Sequence, residues 1–347
     1  MRTITQKQFQ SLEDLSAQGL LLQLPLQTAE KDIHVTELLR GLSTLGVHHG
    51  HFRDLDPRRG EITRHDTGIQ LVFAGGTCLS KAHGLISRMS EDIDIKVILT
   101  PTDKPLKKGR GDRVRLIALH AAVSHLLEEL SFPLLKHNDG SNPRIRDAHR
   151  YYVAGAAYES AYLQIPSLRP ELKLEIIQRQ PLLPFETLEF GYLYEQIAGL
   201  PPSTSLAISC ISIAETTAEK VLSLLRRCAY KWDGHQKNGD LDPALVRHVY
   251  DVACIAQKSP GSLQAAKGIF KQLVLNDRDE FKNQNPDFDT DPFGVLRRTL
   301  DAAKANGHLQ EQYSEKLMPL VYDKNRPSFH QSFEIFETVS RDLLSVG

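Results

Sequence analysis

Asp92 and Asp94 stand two apart in the run Asp92-Ile93-Asp94-Ile95-Lys96-Val97-Ile98, where polar and apolar residues alternate. With a period of two, both acids leave a strand on one face while Ile93, Ile95 and Val97 enter a core on the other. Two carboxylates so placed repel by roughly 4 kcal/mol at about 4 Å and an effective dielectric of about 20. The fold must then protonate one acid, supply cations or bind a metal. Upstream, the apolar run Leu71-Val72-Phe73-Ala74 is broken by Gly75-Gly76-Thr77. Backbone N–H groups of such a turn, at the start of a helix, suit a phosphate. A phosphate cradle facing a hard-cation carboxylate pair is the minimum for handling a Mg2+-bound nucleoside triphosphate. Either half alone reads more readily as a solvated edge strand or an ordinary tight turn. Both within one strand–helix–strand unit, residues 71 to 96, favour a site.

Residues 73 to 95 resemble the signature of the AbiEii/AbiGii toxin group of the DNA polymerase β-like nucleotidyltransferases. That signature is Gly-Gly-Thr, a Leu-Ser-Lys run, then Arg-x-Ser-Glu-Asp-Ile-Asp. It stands here as Gly75-Gly76-Thr77, Leu79-Ser80-Lys81 and Arg88-Met89-Ser90-Glu91-Asp92-Ile93-Asp94. Thr77 replaces the Ser of the wider superfamily and the spacer is longer, which fits the toxin group better than the small-molecule adenylyltransferases. Further motifs of the group have counterparts in Glu219-Lys220 with Arg226, and in Arg247 with Tyr250-Asp251, where His248 departs from the usual Asp. Glu30-Lys31-Asp32 is a weaker match.

The resemblance implies an α+β fold: a polymerase β-like nucleotidyltransferase domain over 1–200, with a mixed sheet, flanking helices and N-terminal helices, then a helical domain over 201–347. It implies transfer of a nucleotidyl group from an NTP, with Mg2+ (or Mn2+ in its place) held by Asp92 and Asp94. Gly75, Gly76, Thr77, Ser80, Lys81 and Ser90 would line the nucleotide. Lys220 and Asp251 would join the catalytic set, and a third acid is expected from the strand beside Asp92 and Asp94. Glu175 in Glu171-Leu172-Lys173-Leu174-Glu175-Ile176-Ile177 matches that place by position. Its other reading is one rung of a half-exposed salt-bridge ladder. Whether Glu175 or Asp251 orients the acceptor or serves as its base stays open. Arg88 is expected to pair with Glu91. The acceptor the resemblance implies is RNA, at the 3′ end of tRNA, with a block of translation as consequence. A cognate antitoxin is implied that need not bind the toxin. Alternatives are a nucleotidyltransferase for a small molecule or a protein, a phosphotransferase, or a non-catalytic nucleotide- or RNA-binding protein.

The totals bound this reading. With 347 residues there is room for two domains, and 42 basic against 43 acidic residues leave no global basic field. Any RNA surface must therefore be a local patch. The start, MRTITQKQFQ, has no apolar leader, and no stretch approaches the length needed to cross a bilayer. Cys78, Cys210, Cys228 and Cys254 lack metal-ligand spacing and read as small buried residues. A reducing cytoplasm is the expected location.

Helices are expected over 4–20, 29–46 and 114–130 from their apolar spacing. Two basic patches are candidates for RNA phosphates: Lys104, Lys107, Lys108, Arg110, Arg113 and Arg115 in 101–115, and Arg144, Arg146 and Arg150. The His48-His49-Gly50-His51 run reads as a solvated loop rather than a metal site. Residues 178–204, with Pro181, Pro184, Pro201 and Pro202, read as a linker. Beyond 205 the pattern is helical. Val221, Leu224 and Leu225 point inward on one helix, and Asp242-Pro243 starts another. Helices over 261–275, 292–306 and 329–345 follow, with an exposed loop over 276–291.

Overall fold

The computed structural model of the chain describes residues 1–50, 64–102, 110–135, 142–163, 168–235 and 242–347. In chain order its elements are α1 (Gln6–Ala17), α2 (Leu26–Ser43), β1 (His48–Gly50), β2 (Arg64–Asp66), β3 (Ile69–Ala74), α3 (Gly75–Lys81), β4 (Asp92–Leu99), α4 (Arg110–Glu129), β5 (Arg144–Arg146), β6 (Tyr151–Ala157), β7 (Glu171–Gln178), β8 (Glu186–Phe190), α5 (Leu193–Ile197), β9 (Leu206–Cys210), α6 (Ile213–Trp232), α7 (Arg247–Lys258), α8 (Ser262–Glu280), α9 (Pro286–Thr290), α10 (Pro292–Lys304), α11 (Gly307–Gln312) and α12 (Phe329–Leu344).

The chain forms two compact units. The first comprises 1–82, 90–180 and 185–210, and the second 83–89, 181–184 and 211–347. The first unit is built on a mixed seven-stranded sheet in the order β5-β6-β7-β4-β3-β9-β8. β4 runs antiparallel to β3 and parallel to β7, so the strand bearing the two aspartates lies at the middle of the sheet. Ile93, Ile95 and Val97 are buried, as the alternation requires, and Leu172, Leu174 and Ile176 repeat the pattern on β7.

α2 departs from its expected amphipathic stripe. Glu30, Lys31, Asp32, His34 and Glu37 are as buried as Ile33, Leu38 and Leu39. Buried charges need partners, and each acid or amine has one. Glu30 accepts from Ser160 and from the Ala161 N–H. Lys31 pairs with Glu91 at 2.5 Å, and Asp32 with Lys81 at 2.5 Å. Glu37 pairs with Arg2 at 2.8 Å and accepts from the Tyr192 hydroxyl. The helix is therefore a tie rod through the unit rather than a surface helix.

Three further expectations change. The 178–204 stretch is no bare linker, because it holds β8, which closes one edge of the sheet on β9, and α5, anchored where the Leu193 N–H donates to Asp32 at 2.7 Å. Arg115 joins no phosphate-contacting flap. Its guanidinium is buried and donates to the carbonyls of Thr67, Gly68 and Thr100. Arg113, of the same patch, is exposed on α4, while Lys104, Lys107 and Lys108 lie outside the described residues, as does His51.

In the second unit α6 packs against α7, α8 and α10, and α12 packs on α7. Val221, Leu224 and Leu225 are buried as expected. The expected loop over 276–291 is partly helical instead: α8 runs on to Glu280, where Arg226 pairs with Asp277 at 2.6 Å, and buried Asn285 caps α9. Tertiary partners far along the chain hold this polar segment, which local composition does not reveal. All four cysteines are buried and none forms a disulfide.

Candidate active site

The strand register sets out the acid face of the first unit. Asp94 lies opposite Ala74 on β3 and Glu175 on β7, and Asp92 lies opposite Lys173. Residues directly opposite share a face, so Asp92, Asp94, Lys173 and Glu175 form one polar field at the sheet's centre. All four are half-buried.

The turn meets this field directly. Gly75 has φ +75°, a left-handed conformation that side chains disfavour. The space a side chain would take is filled by the Asp94 carboxylate, since a Cβ at residue 75 would lie 1.9 Å from Asp94 Oδ2. Only glycine lets backbone and carboxylate come this close. Thr77, fully buried, donates its hydroxyl to the Asp92 carbonyl at 2.5 Å. It ties the start of α3 to the start of β4, and this one proton is not available to a phosphate. Lys81, expected to reach phosphate, is turned into the fold. Its ammonium is buried, bonded to Asp32 and to the Gly191 carbonyl at 3.2 Å. Ser80 is buried at the end of α3, and Ser90 is half-buried just before β4.

The sequence showed the repulsion between Asp92 and Asp94 but not its partners. Asp92 pairs with Arg169, which lies just before β7, and Lys173 pairs with Glu175. Burial pushes the Asp92 carboxyl above its usual range, with Lys173 and Arg169 pulling the other way. Among the described residues, no three His, Cys, Asp or Glu side chains converge on one point. Glu175 lies beside Asp94 in the strand register and pairs with Lys173. The oxygen donors of Asp92 and Asp94 suit a hard divalent cation, which keeps its remaining ligands as water or substrate phosphate.

The second unit assembles the other motif residues. Asp251, on α7, is wholly buried. It accepts from Arg88 Nε at 2.7 Å and Nη2 at 2.6 Å, and pairs with Lys220, on α6, at 2.7 Å. Arg88 is likewise buried, so the expected pairing with Glu91 is corrected: Glu91 belongs to Lys31. Burial alone would raise the Asp251 pKa, but Arg88 and Lys220 hold the carboxyl well below its usual range. A carboxylate so held is a poor proton acceptor at neutral pH. His248, one turn back on α7, is kept neutral by burial and by Lys220. Glu215 accepts from the N–H groups of Leu182 and Leu183 at 2.8 and 2.9 Å, fixing segment 181–184.

A seven-stranded mixed sheet with an acid pair against a glycine turn, together with a helical C-terminal part, defines a nucleotidyltransferase fold. MenT4, a nucleotidyltransferase toxin from Mycobacterium tuberculosis H37Rv, shares that fold, with a TM-score of 0.53 and 17% sequence identity over 95% of this chain and 88% of that one. The family model of the nucleotidyl transferase AbiEii toxin of type IV toxin–antitoxin systems matches residues 59–335, and the chain belongs to that family. JHP933 from Helicobacter pylori aligns over 93% of this chain and 94% of its own, with 14% identity and a TM-score of 0.38. No protein of curated function matches by sequence. The protein is thus a nucleotidyltransferase toxin, and its family implies a cognate antitoxin. Among the described residues no helix is long and apolar enough to cross a membrane.

Proposed function

We propose that this toxin moves a nucleotidyl group from an NTP to the 3′ end of an RNA, tRNA in particular, and thereby stops translation in the cytoplasm. The observation that carries the chemistry is the contact between the Asp94 carboxylate and Gly75. It puts the acid pair and the glycine turn on one side of the sheet. Asp92 and Asp94 are the residues that would hold Mg2+, or Mn2+ in its place. Bound there, such an ion offsets triphosphate charge and polarises the reacting phosphorus.

The remaining roles belong to side chains and backbone. Gly75, Gly76 and Thr77 form the turn that receives phosphate through main-chain N–H groups, with Thr77 fixing the turn and Ser80 and Ser90 beside it. Lys220 offsets charge on the leaving pyrophosphate, and Asp251 holds its ammonium. Glu175, half-buried and reaching solvent, is a better candidate than Asp251 for orienting the acceptor hydroxyl. Arg144 and Arg146, exposed on the edge strand β5, remain a candidate surface for RNA phosphates.

The test is incubation of the protein with α- or γ-labelled NTPs together with total RNA, protein or metabolite extract. The reading requires α-label in RNA and none from the γ-position. Label in protein or metabolites, or γ-label in any acceptor, would replace it with one of the rival activities. Asp94→Asn, purified free of wild type, should lose transfer while keeping the wild-type melting temperature.

A further inference from the structure

Arg169 is held in a way that a bystander would not be. Its N–H donates to Glu91 Oε2 at 2.9 Å, and its carbonyl accepts from Lys31 Nζ at 2.7 Å. Lys31 and Glu91 pair with each other at 2.5 Å, and both side chains are buried. Removing two charges from water costs several kcal/mol per ion unless the geometry recovers it. Here the recovered geometry clamps one peptide position on both sides. The side chain projecting from that position is not buried: Arg169 is 32% exposed and Asp92 24% exposed where they pair. A fully buried arginine–aspartate pair in this protein looks different, since Arg88 and Asp251 are 2% and 0% exposed.

A guanidinium presents five donors in a planar fork that matches phosphate as well as carboxylate. Asp92 is also one of the two residues assigned to the divalent cation. Any cation arriving at Asp92 competes with Arg169 for the same oxygen, and the triphosphate that accompanies it offers the arginine a new anion. β4 and β7 run parallel with Asp92 opposite Lys173, so Arg169 sits at the end of the sheet where β4 begins and Gly75 turns.

We propose that Arg169 is a nucleotide-positioning residue that covers Asp92 in the empty site and transfers its guanidinium to the triphosphate when nucleotide binds. The proposal rests on the nucleotidyl-transfer reading of Asp92 and Asp94. The Lys31–Glu91 pair serves it by keeping residue 169 at one height above the acid face, so that only the side chain moves.

The test uses the full chain without acceptor RNA, titrated with Mn2+ alone by electron paramagnetic resonance and with each of the four NTPs by calorimetry. Arg169→Ala removes the competitor at Asp92, so Mn2+ should bind about threefold to tenfold more tightly. The same variant should bind its NTP about tenfold more weakly, a loss of about 1.4 kcal/mol, and Arg169→Lys should recover part of that loss. Opposite signs for cation and nucleotide are the signature, because a merely structural role would weaken both. Unchanged affinities, or equal weakening of both in Arg169→Ala and Arg169→Lys alike, would overturn the proposal. If Arg169→Ala does not fold, Arg169→Lys and Arg169→Gln carry the same two readouts. Asp94→Asn that binds Mn2+ as wild type does would overturn the parent reading instead, and this proposal with it.

Discussion

The protein uses the combination of aspartate, arginine and lysine twice, to opposite ends. On the acid face of the first unit, Asp92 and Glu175 meet Arg169 and Lys173 at half-buried positions. In the second unit, Asp251 meets Arg88 and Lys220 almost out of reach of water. Partners can be exchanged only where water or substrate can replace them. The first arrangement leaves its ion pairs open to exchange with solvent or substrate, and the second encloses the Asp251 carboxylate between Arg88 and Lys220. Burial rather than residue type separates an exchangeable ionic site from a permanent one.

The largest expected effect tests this contrast. Asp251→Ala leaves Arg88 and Lys220 buried without their shared anion, which should cost about 3–5 kcal/mol of stability, as removal of one partner of a buried pair does. Urea titration checks it, and transfer activity should fall with it. Asp94→Asn, an isosteric change at a half-buried position, should cost less stability than Asp251→Ala while abolishing transfer. If the two variants were destabilised alike, the distinction between a fixed and an exchangeable cluster would be lost.

Gly75→Ala is next. The added methyl enters the space of the Asp94 carboxylate and forces a left-handed backbone on a residue with a side chain. Strain of this kind costs about 1–3 kcal/mol, and displacement of a positioned group is expected to lower kcat/KM about 100-fold. Steady-state kinetics alongside a melting curve separate the two. A variant with normal kinetics would show that the Asp94 position is not set by the turn.

Acid sharpens the contrast in another way. Burial drives the His34 pKa down to about 3, with Arg2 and Lys31 acting in the same direction. Between its unfolded value of about 6.5 and about 3, the unfolded chain takes up a proton that the folded chain refuses. Stability is therefore lost as pH falls through that window, at up to about 1.4 kcal/mol per pH unit. The Asp251 contribution has its own window, present above about 3.9 and lost only as pH falls further. His248 in the second unit acts in the same direction as His34, so the variant that isolates the first unit is His34→Phe. Its stability should decline less steeply than wild type between pH 6.5 and 4, measured by urea titration at successive pH values. An unchanged slope would mean that His34 is not held neutral.

The central unit was legible because its signals are local. A period of two puts Asp92 and Asp94 on one face, and a glycine pair just after an apolar run ends a strand. The helical C-terminal part was legible from apolar spacing, as in Val221, Leu224 and Leu225. Partners were not legible. Arg169 and Asp92 are 77 positions apart, and Arg88 and Asp251 are 163 apart. With 42 basic residues in the chain, nothing local says which of them meets a given acid. Lys81 shows the same limit, because its place in the signature suggested phosphate and its contact with Asp32 depends on the buried course of α2. Glu30-Lys31-Asp32, weak as a motif, turns out to mark three buried residues tied to segments far along the chain.

The smallest expected effect concerns the joint between turn and strand. Thr77 is fully buried, and its hydroxyl donates to the Asp92 carbonyl on the neighbouring strand. Thr77→Val keeps the branched shape and removes the hydroxyl, so packing is preserved while one hydrogen bond disappears. Such a bond contributes about 1 kcal/mol net, and a melting curve should register no more than that. Its kinetic meaning is more specific. If Thr77 contacted phosphate directly, the valine variant would raise KM for the NTP strongly while leaving stability almost untouched. A tie between α3 and β4 predicts the reverse proportion: a measurable loss of stability and a loss of kcat/KM no larger than that energy accounts for, about fivefold. The ratio of the two losses thus decides whether the third residue of the turn binds substrate or holds the turn against the acids.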